Sequence, residues 1–218
     1  IKLNFYRKLD KLSQMTCVSG KRALGNAGIE VSEDNSRVIG IVAGTSDGPQ
    51  TDIANFQKGI IAAGTQAGSA FLFPNTVYNA APGYLSIAAG VKGYTVTLSN
   101  GAASGNAAVA FATRVLRTTQ NDVMLAIGAD EDSETVHMLY EKTGALGAGL
   151  KLGDGAVTVV LERGSSADKR GAKKYAEVLG SGFAHCPVPF GKYGCADKLK
   201  EAIDLALKEA GVKAEDIG

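Results

Sequence analysis

Apolar positions along this chain fall into two patterns. In residues 1–36, Leu9, Leu12, Met15, Val18 and Leu24 recur near helical spacing, and the run NAG at 26–28 closes them, so the segment reads as helical. Residues 37–45, RVIGIVAGT, instead form an unbroken apolar run bounded by glycine, the mark of a strand buried on both faces. A turn follows over 45–49, then a helix over 51–65 that faces a partner or a substrate entrance. Residues 69–78 read as extended and aromatic-rich; residues 79–89 read as a helix in which Pro82 is tolerable only in the first turn. A β-branched strand is predicted over 95–98, a helix over 107–116, and an apolar strand over 121–129 ahead of an acidic loop, 130–134. Two more strands are predicted over 150–161 and 175–183 with a charged loop between them, then a loop over 185–194. The clearest amphipathic helix spans 197–211, and residues 212–218 approach a further strand. Apolar strands alternating with helical segments predict an α/β fold: a mixed, mostly parallel sheet with helices on both faces. No linker is visible, so residues 1–218 are expected to form a single domain.

The stretch around residue 100 is the informative one. After the strand at 95–98, Asn100, Gly101 and Gly105 break the extended run before the apolar helix resumes. Strand, glycine turn and buried helix together project one side chain towards a helix N-terminus, where backbone N–H groups and the helix dipole stabilise a thiolate or an oxyanion. Here that side chain is Ala102, which carries no reactive group.

Composition narrows the function classes. A formal net charge of +1 over 218 residues creates no field that favours nucleic acid or a membrane surface. No apolar run approaches a membrane span and no signal peptide is visible, so a cytoplasmic protein is expected. The chain opens on Ile1, which leaves room for a missing N-terminal piece. Hydrophobic content of 45% with 28 glycines suits a tightly packed α/β protein. Cys17, Cys186 and Cys195 are odd in number and lack C-x-x-C spacing, so they read as reduced thiols rather than a zinc site or a disulfide framework.

Five segments in series carry a family resemblance. Residues 93–105, GYTVTLSNGAASG, resemble the nucleophile turn of the β-ketoacyl-acyl-carrier-protein synthases, the condensing enzymes of the thiolase superfamily. Residues 73–87 (FPNTVYNAAPGYLSI) resemble the segment ahead of that strand, and residues 122–130 (DVMLAIGAD) the strand after the nucleophile helix. Residues 149–162 (GLKLGDGAVTVVLE) resemble the family's glycine-turn strand, and residues 169–177 (KRGAKKYAE) its charged turn into the next strand. The resemblance implies one α/β/α-type half of a thiolase-like layered fold. It also implies a chain roughly twice as long in the family, whose second half carries two histidines that activate the malonyl donor. Ser104 and Gly105 fit the family's turn, and Ala102 falls where the nucleophilic cysteine belongs. The chain departs further in lacking the histidine motifs, the first strand and part of the loop at 144–149.

Two readings from different classes follow, with an unrelated α/β binding protein as a third. In the first, the chain is a non-elongating, chain-length-factor-like or accessory subunit of fatty acid or polyketide biosynthesis. It works with acyl carrier protein as a homodimer or as a heterodimer with an active ketosynthase. Phe71, Phe73, Tyr78, Tyr84 and Tyr94 then lie near the dimer seam or the acyl tunnel, or else form ordinary core. In the second, it is an incomplete or mutated 3-oxoacyl-acyl-carrier-protein synthase performing decarboxylative Claisen condensation. Ala102 marks a natural loss, an engineered replacement or a shifted alignment; in no case can a methyl form a thioester. Gly101, Ala103, Ser104 and Gly105 are the turn residues of this candidate site, and no cofactor or metal is expected.

Other chemistry-bearing residues have plainer accounts. Ser104 reads as a serine that hydrogen-bonds its own turn. Asp130, Glu131, Asp132 and Glu134 have the composition of a hard-cation loop but read as a solvated surface turn, with His137 just beyond. His185 beside Cys186 reads as loop packing. Gly147, Gly149 and Gly153 lack dinucleotide spacing and read as turn glycines packed under the central helix.

Overall fold

A computed structural model describes residues 3–187 and 195–217. The chain divides into two compact units, Ile1–His137 with Leu152–Lys173, and Met138–Lys151 with Lys174–Gly218.

The first unit is built on a four-stranded sheet. After a short helix α1 (Leu3–Tyr6), α2 (Lys11–Asn26) starts afresh because Asp10 caps it: the Ser13 N–H donates to the Asp10 carboxylate at 2.8 Å and the Ser13 hydroxyl bonds the same group. The helix stops at Ala27, and Gly28 turns the chain at φ 65°, so the helical reading of 1–36 holds for its middle and not for its ends. Strand β1 (Ile39–Gly44) is buried along its whole length. Helix α3 (Gln50–Ala63) buries none of its residues. Residues 69–78 are not extended; they turn through a 3₁₀ helix at Phe73–Asn75, where Pro74 presets the backbone. Helix α4 (Ala80–Ala89) holds Pro82 in its first turn, as expected, and ends at left-handed Gly90.

Strand β2 (Thr95–Leu98), helix α5 (Ser104–Thr118) and strand β3 (Val123–Asp130) follow, then α6 (Glu134–Lys142), which sequence patterning missed. Strand β4 (Gly155–Glu162) starts later than the predicted 150–161 run and leads into the short α7 (Gly164–Lys169). The order is β2-β1-β3-β4; β1 pairs in parallel with β2 and β3, and β4 runs antiparallel to β3. Side chains alternate between the faces. Ile39, Ile41, Ala43, Val123, Leu125 and Ile127 join the core formed with α2 and α4, while Val42, Met124 and Ala126 pack with Ala108 and Ala112 of α5. The fold is therefore the expected α/β arrangement, a mixed, mostly parallel sheet with helices on both faces. The outer strands are less covered: β2 buries none of its residues, and in β4 Val160 joins the α2 side whereas Val157 and Val159 on the other face stay exposed.

The second unit contains helix α8 (Ala196–Ala210), closed by Gly211 at φ 69° as its sequence predicts. The strand predicted over 175–183 does not form. Among the described residues this stretch pairs with no strand and runs instead beside α8, where Gly180 and Gly182 bring their backbone against that of Ala206 and Ala202. Side chains at either glycine would collide with the helix backbone, so the close approach requires glycine. The Ser181 N–H donates to Glu209 at 2.8 Å. Cys186 and Cys195 form a disulfide, with Cα atoms 6.0 Å apart, which corrects the reading of these residues as reduced thiols; only Cys17 is free, and it is buried. Odd cysteine count hid the bond. Most of the loop expected at 185–194 lies outside the described residues, and residues 212–217 form a 3₁₀ turn at Ala214–Asp216.

Candidate functional site at the β2–α5 turn

The turn between β2 and α5 has the predicted strand–bend–helix geometry. Gly101 supplies a positive φ of 56°, Ala102 and Ala103 are exposed, and Ser104 opens α5 with its side chain buried. The Ser104 hydroxyl accepts the Asn100 N–H at 2.8 Å and shares its proton between the Gly101 and Thr45 carbonyls, at 2.6 and 3.0 Å. It is thus saturated by its own turn and by Thr45 just past β1, as its sequence setting suggests, and is no nucleophile. Ala103 occupies the helix N-cap with no side-chain cap, so the N-terminus of a 15-residue helix opens beside the Ala102 methyl.

Three glycines seat this helix end. A Cβ on Gly44, at the end of β1, would run into the Ser104 carbonyl, and Gly105 faces Gly128 of β3 so closely that a Cβ on Gly128 would lie 3.2 Å from the Gly105 Cα. The apex is consequently held by backbone contact and not by long side chains.

The acidic loop proves to be an internal clamp for the same region. Asp130 accepts the Ser46 N–H at 2.7 Å and the Thr45 hydroxyl at 2.8 Å. Buried Glu131 accepts the Thr51 N–H at 3.0 Å in the first turn of α3. Ser46 in turn donates its hydroxyl to the Gly101 carbonyl at 2.9 Å. Asp130 and one oxygen of Glu131 are therefore taken by backbone donors, whereas Asp132 is half-buried and Glu134 exposed, so the expectation of a solvated turn holds only for the later acids. No cluster suited to a metal ion occurs among the described residues. The His137 Nδ1 lies 3.8 Å from Asp132, too far for a hydrogen bond. Sequence reasoning missed Thr45, Ser46 and Asp130 as supports of the turn; the available signal was that polar Thr45 and Ser46 follow the apolar β1 run and polar Asp130 closes the β3 run.

The aromatic candidates do not gather in one place. Tyr84 packs on the α2 side, edge-on to Phe5 at 6.0 Å, with its hydroxyl donating to Asn75 at 2.9 Å. Tyr94 stacks on Phe111 of α5, on the opposite face. Phe73 meets Phe56 of α3 at 5.8 Å, Phe71 is exposed, and Tyr78 lies over Gly48. His185 is exposed, and its neighbour Cys186 is committed to the disulfide, so no Cys–His dyad exists there. Among the described residues, Gly147, Gly149 and Gly153 have open space where a side chain would point, and Gly149 is required for its φ of 92°.

The structure is a parallel-dominated α/β layer in which a glycine-seated turn feeds a helix N-terminus. Residues 1–167 match the family described as "Beta-ketoacyl synthase, N-terminal domain", and the chain belongs to the β-ketoacyl synthase family. It is 32% identical to 3-oxoacyl-[acyl-carrier-protein] synthase 2 of Vibrio cholerae, over 97% of this chain and 56% of that protein. Among solved structures it is similar to a beta-ketoacyl synthase from Burkholderia phymatum, with a TM-score of 0.85 at 24% identity, covering 100% of this chain and 57% of the other. It is also similar to the ishigamide ketosynthase/chain length factor, with a TM-score of 0.82 at 26% identity, covering 100% and 56%. The chain thus spans little more than half the length of the relatives it matches.

Proposed function

We propose that the chain serves fatty acid or polyketide biosynthesis as a ketosynthase-like subunit that does not elongate an acyl chain by itself. The observation that carries this reading is the exposed methyl of Ala102 at the apex of a turn otherwise built for nucleophilic catalysis. With no thiol or hydroxyl at the apex, no acyl-enzyme forms there, while the open α5 N-terminus keeps the donors that would stabilise an oxyanion. Similarity to a ketosynthase/chain length factor supports the accessory role. In this reading the partners are an acyl carrier protein and a second ketosynthase-fold chain, as homodimer or heterodimer, in the cytoplasm. The edge strand β2, with exposed Tyr94 just ahead of it, provides the seam. The whole chain, 1–218, acts as one ketosynthase N-terminal-like region.

Ala102→Cys tests it. Incubation with an acyl-carrier-protein thioester is expected to leave an acyl group on Cys at position 102. An intact fold that stays unacylated would remove the claim that this turn has nucleophile geometry. A second reading, a portion of a true condensing enzyme whose histidines lie elsewhere, is favoured by the 56% span of its relatives. A longer native sequence bearing those histidines, together with a native cysteine at 102, would select it.

A further inference from the structure

We propose that Cys186 and Cys195 form a reversible thiol–disulfide clasp, with Cys195 as the leaving thiol and Cys186 as the sulfur attacked. The proposal is independent of the ketosynthase reading. It rests on three features of the second unit. The sulfurs are already paired, and their Cα separation of 6.0 Å lies within the ordinary range for a disulfide, so bond making and breaking need no backbone movement. Both residues are half-buried, which leaves the bond within reach of a small thiol, in contrast to fully buried Cys17. Finally, Cys195 is the N-cap of the 15-residue α8, and no side chain caps that end. As the N-cap residue, Cys195 lies at the positive end of the helix dipole, which favours a thiolate there; Asp197 in the first turn opposes this in part.

The chemistry follows from that asymmetry. An incoming thiolate attacks the Cys186 sulfur, the S–S bond breaks, and the electron pair leaves on Cys195, the sulfur that best carries negative charge. A second thiolate attacks the added sulfur of the mixed disulfide and frees Cys186. The net exchange converts two small thiols and the protein disulfide into one small disulfide and two protein thiols, and oxidised small disulfide runs it in reverse. The consequence is local. Residues 180–187 run antiparallel beside α8, anchored at the far end by Ser181 on Glu209 and by the Gly180 and Gly182 contacts. The disulfide anchors the near end, so reduction releases one end of the strap and leaves the other.

The test equilibrates the full chain in glutathione buffers of graded ratio, quenches with acid, alkylates, and maps the label by peptide mass. Cys186 and Cys195 are expected to gain label together as the reduced fraction rises and to lose it on reoxidation, while Cys17 stays unlabelled because burial pushes its thiol up to about 11. Labelling of both residues in fully oxidised buffer would overturn the clasp, and so would a bond that opens only on unfolding. The order of attack is read on Cys186→Ser and Cys195→Ser. The thiol left at 195 is expected to alkylate about tenfold faster at neutral pH than the thiol left at 186. Equal rates, or the reverse order, would overturn the assignment of the leaving sulfur. Trapping the mixed disulfide on wild-type protein reads the same order without a variant, since the small thiol should be found on Cys186.

Discussion

The two units hold themselves together by different means. In the first, every residue of β1 is buried, nearly all of β3 is buried, and α2, α4 and α5 cover the two faces of the sheet. In the second, α8 buries no residue, and Leu199, Ile203 and Leu205 are all exposed. Among the described residues, glycine-to-helix contact, the Glu209 carboxylate accepting from Ser181, and a covalent bond contribute to its order. Small units that cannot bury enough apolar surface need such staples. The contrast makes a quantitative claim: substitutions of similar size should cost several kcal/mol in one unit and almost nothing in the other.

The largest effect is expected at Gly44. Gly44→Val drives a branched side chain into the Ser104 carbonyl, a backbone atom that cannot step aside, and should cost about 3 kcal/mol or more. Denaturant unfolding followed by circular dichroism measures it; a loss below about 1 kcal/mol would mean that α5 is not seated on β1 through this glycine. Leu125→Ala, at 0% exposure in β3, should cost about 3 kcal/mol by leaving a cavity. The same truncation at Leu199 of α8, 64% exposed, should cost about 0.5 kcal/mol or less. Comparable costs at the two leucines would erase the distinction between the units.

Reducing the disulfide comes next. A bond closing a sequence separation of 9 residues removes loop entropy worth about 2.5 kcal/mol. The loss should appear as faster hydrogen exchange in α8 and the strap, with exchange in β1 and β3 unchanged. Acceleration spread evenly over both units would show that the clasp supports the sheet as well.

What could be read in advance follows the same division. The β1 run and the β2–α5 turn were legible because sheet pairing and helix packing leave a local signature: unbroken apolar residues, then glycine where a helix end touches backbone. The sheet order and the antiparallel setting of β4 were not, because register depends on partners distant in sequence. Helix α6 went unseen because it buries a single residue, Val136, too little for an apolar period. Residues 175–183 have strand composition yet lie beside a helix, since β-propensity expresses itself only where a neighbouring strand exists. The support of the candidate turn by Asp130 was hidden for another reason. A run of acids looks alike whether it meets water or backbone N–H groups 80 or more residues away, as Asp130 and Glu131 do.

Asp10 offers the finest discrimination within the first unit. Its carboxylate caps α2, yet burial, reinforced by the neighbouring charge of Asp52, holds its pKa above the usual aspartate value despite the opposing Ser13 hydrogen bonds. The folded state therefore grips this proton more tightly than the unfolded chain. Its contribution to stability is full below the ordinary value of 3.8 and declines as pH rises through the raised one. Asp10→Asn keeps an acceptor for the Ser13 N–H and removes the buried charge, so stability should no longer fall across that acid window. Asp10→Ala loses the cap and should cost about 1 kcal/mol. Urea midpoints of the three proteins, taken at several pH values between the usual aspartate range and neutrality, separate the two roles. If the wild-type and Asn curves run parallel, the carboxylate is solvated in the native state, and the start of α2 does not belong to the buried core that sets this unit apart from its neighbour.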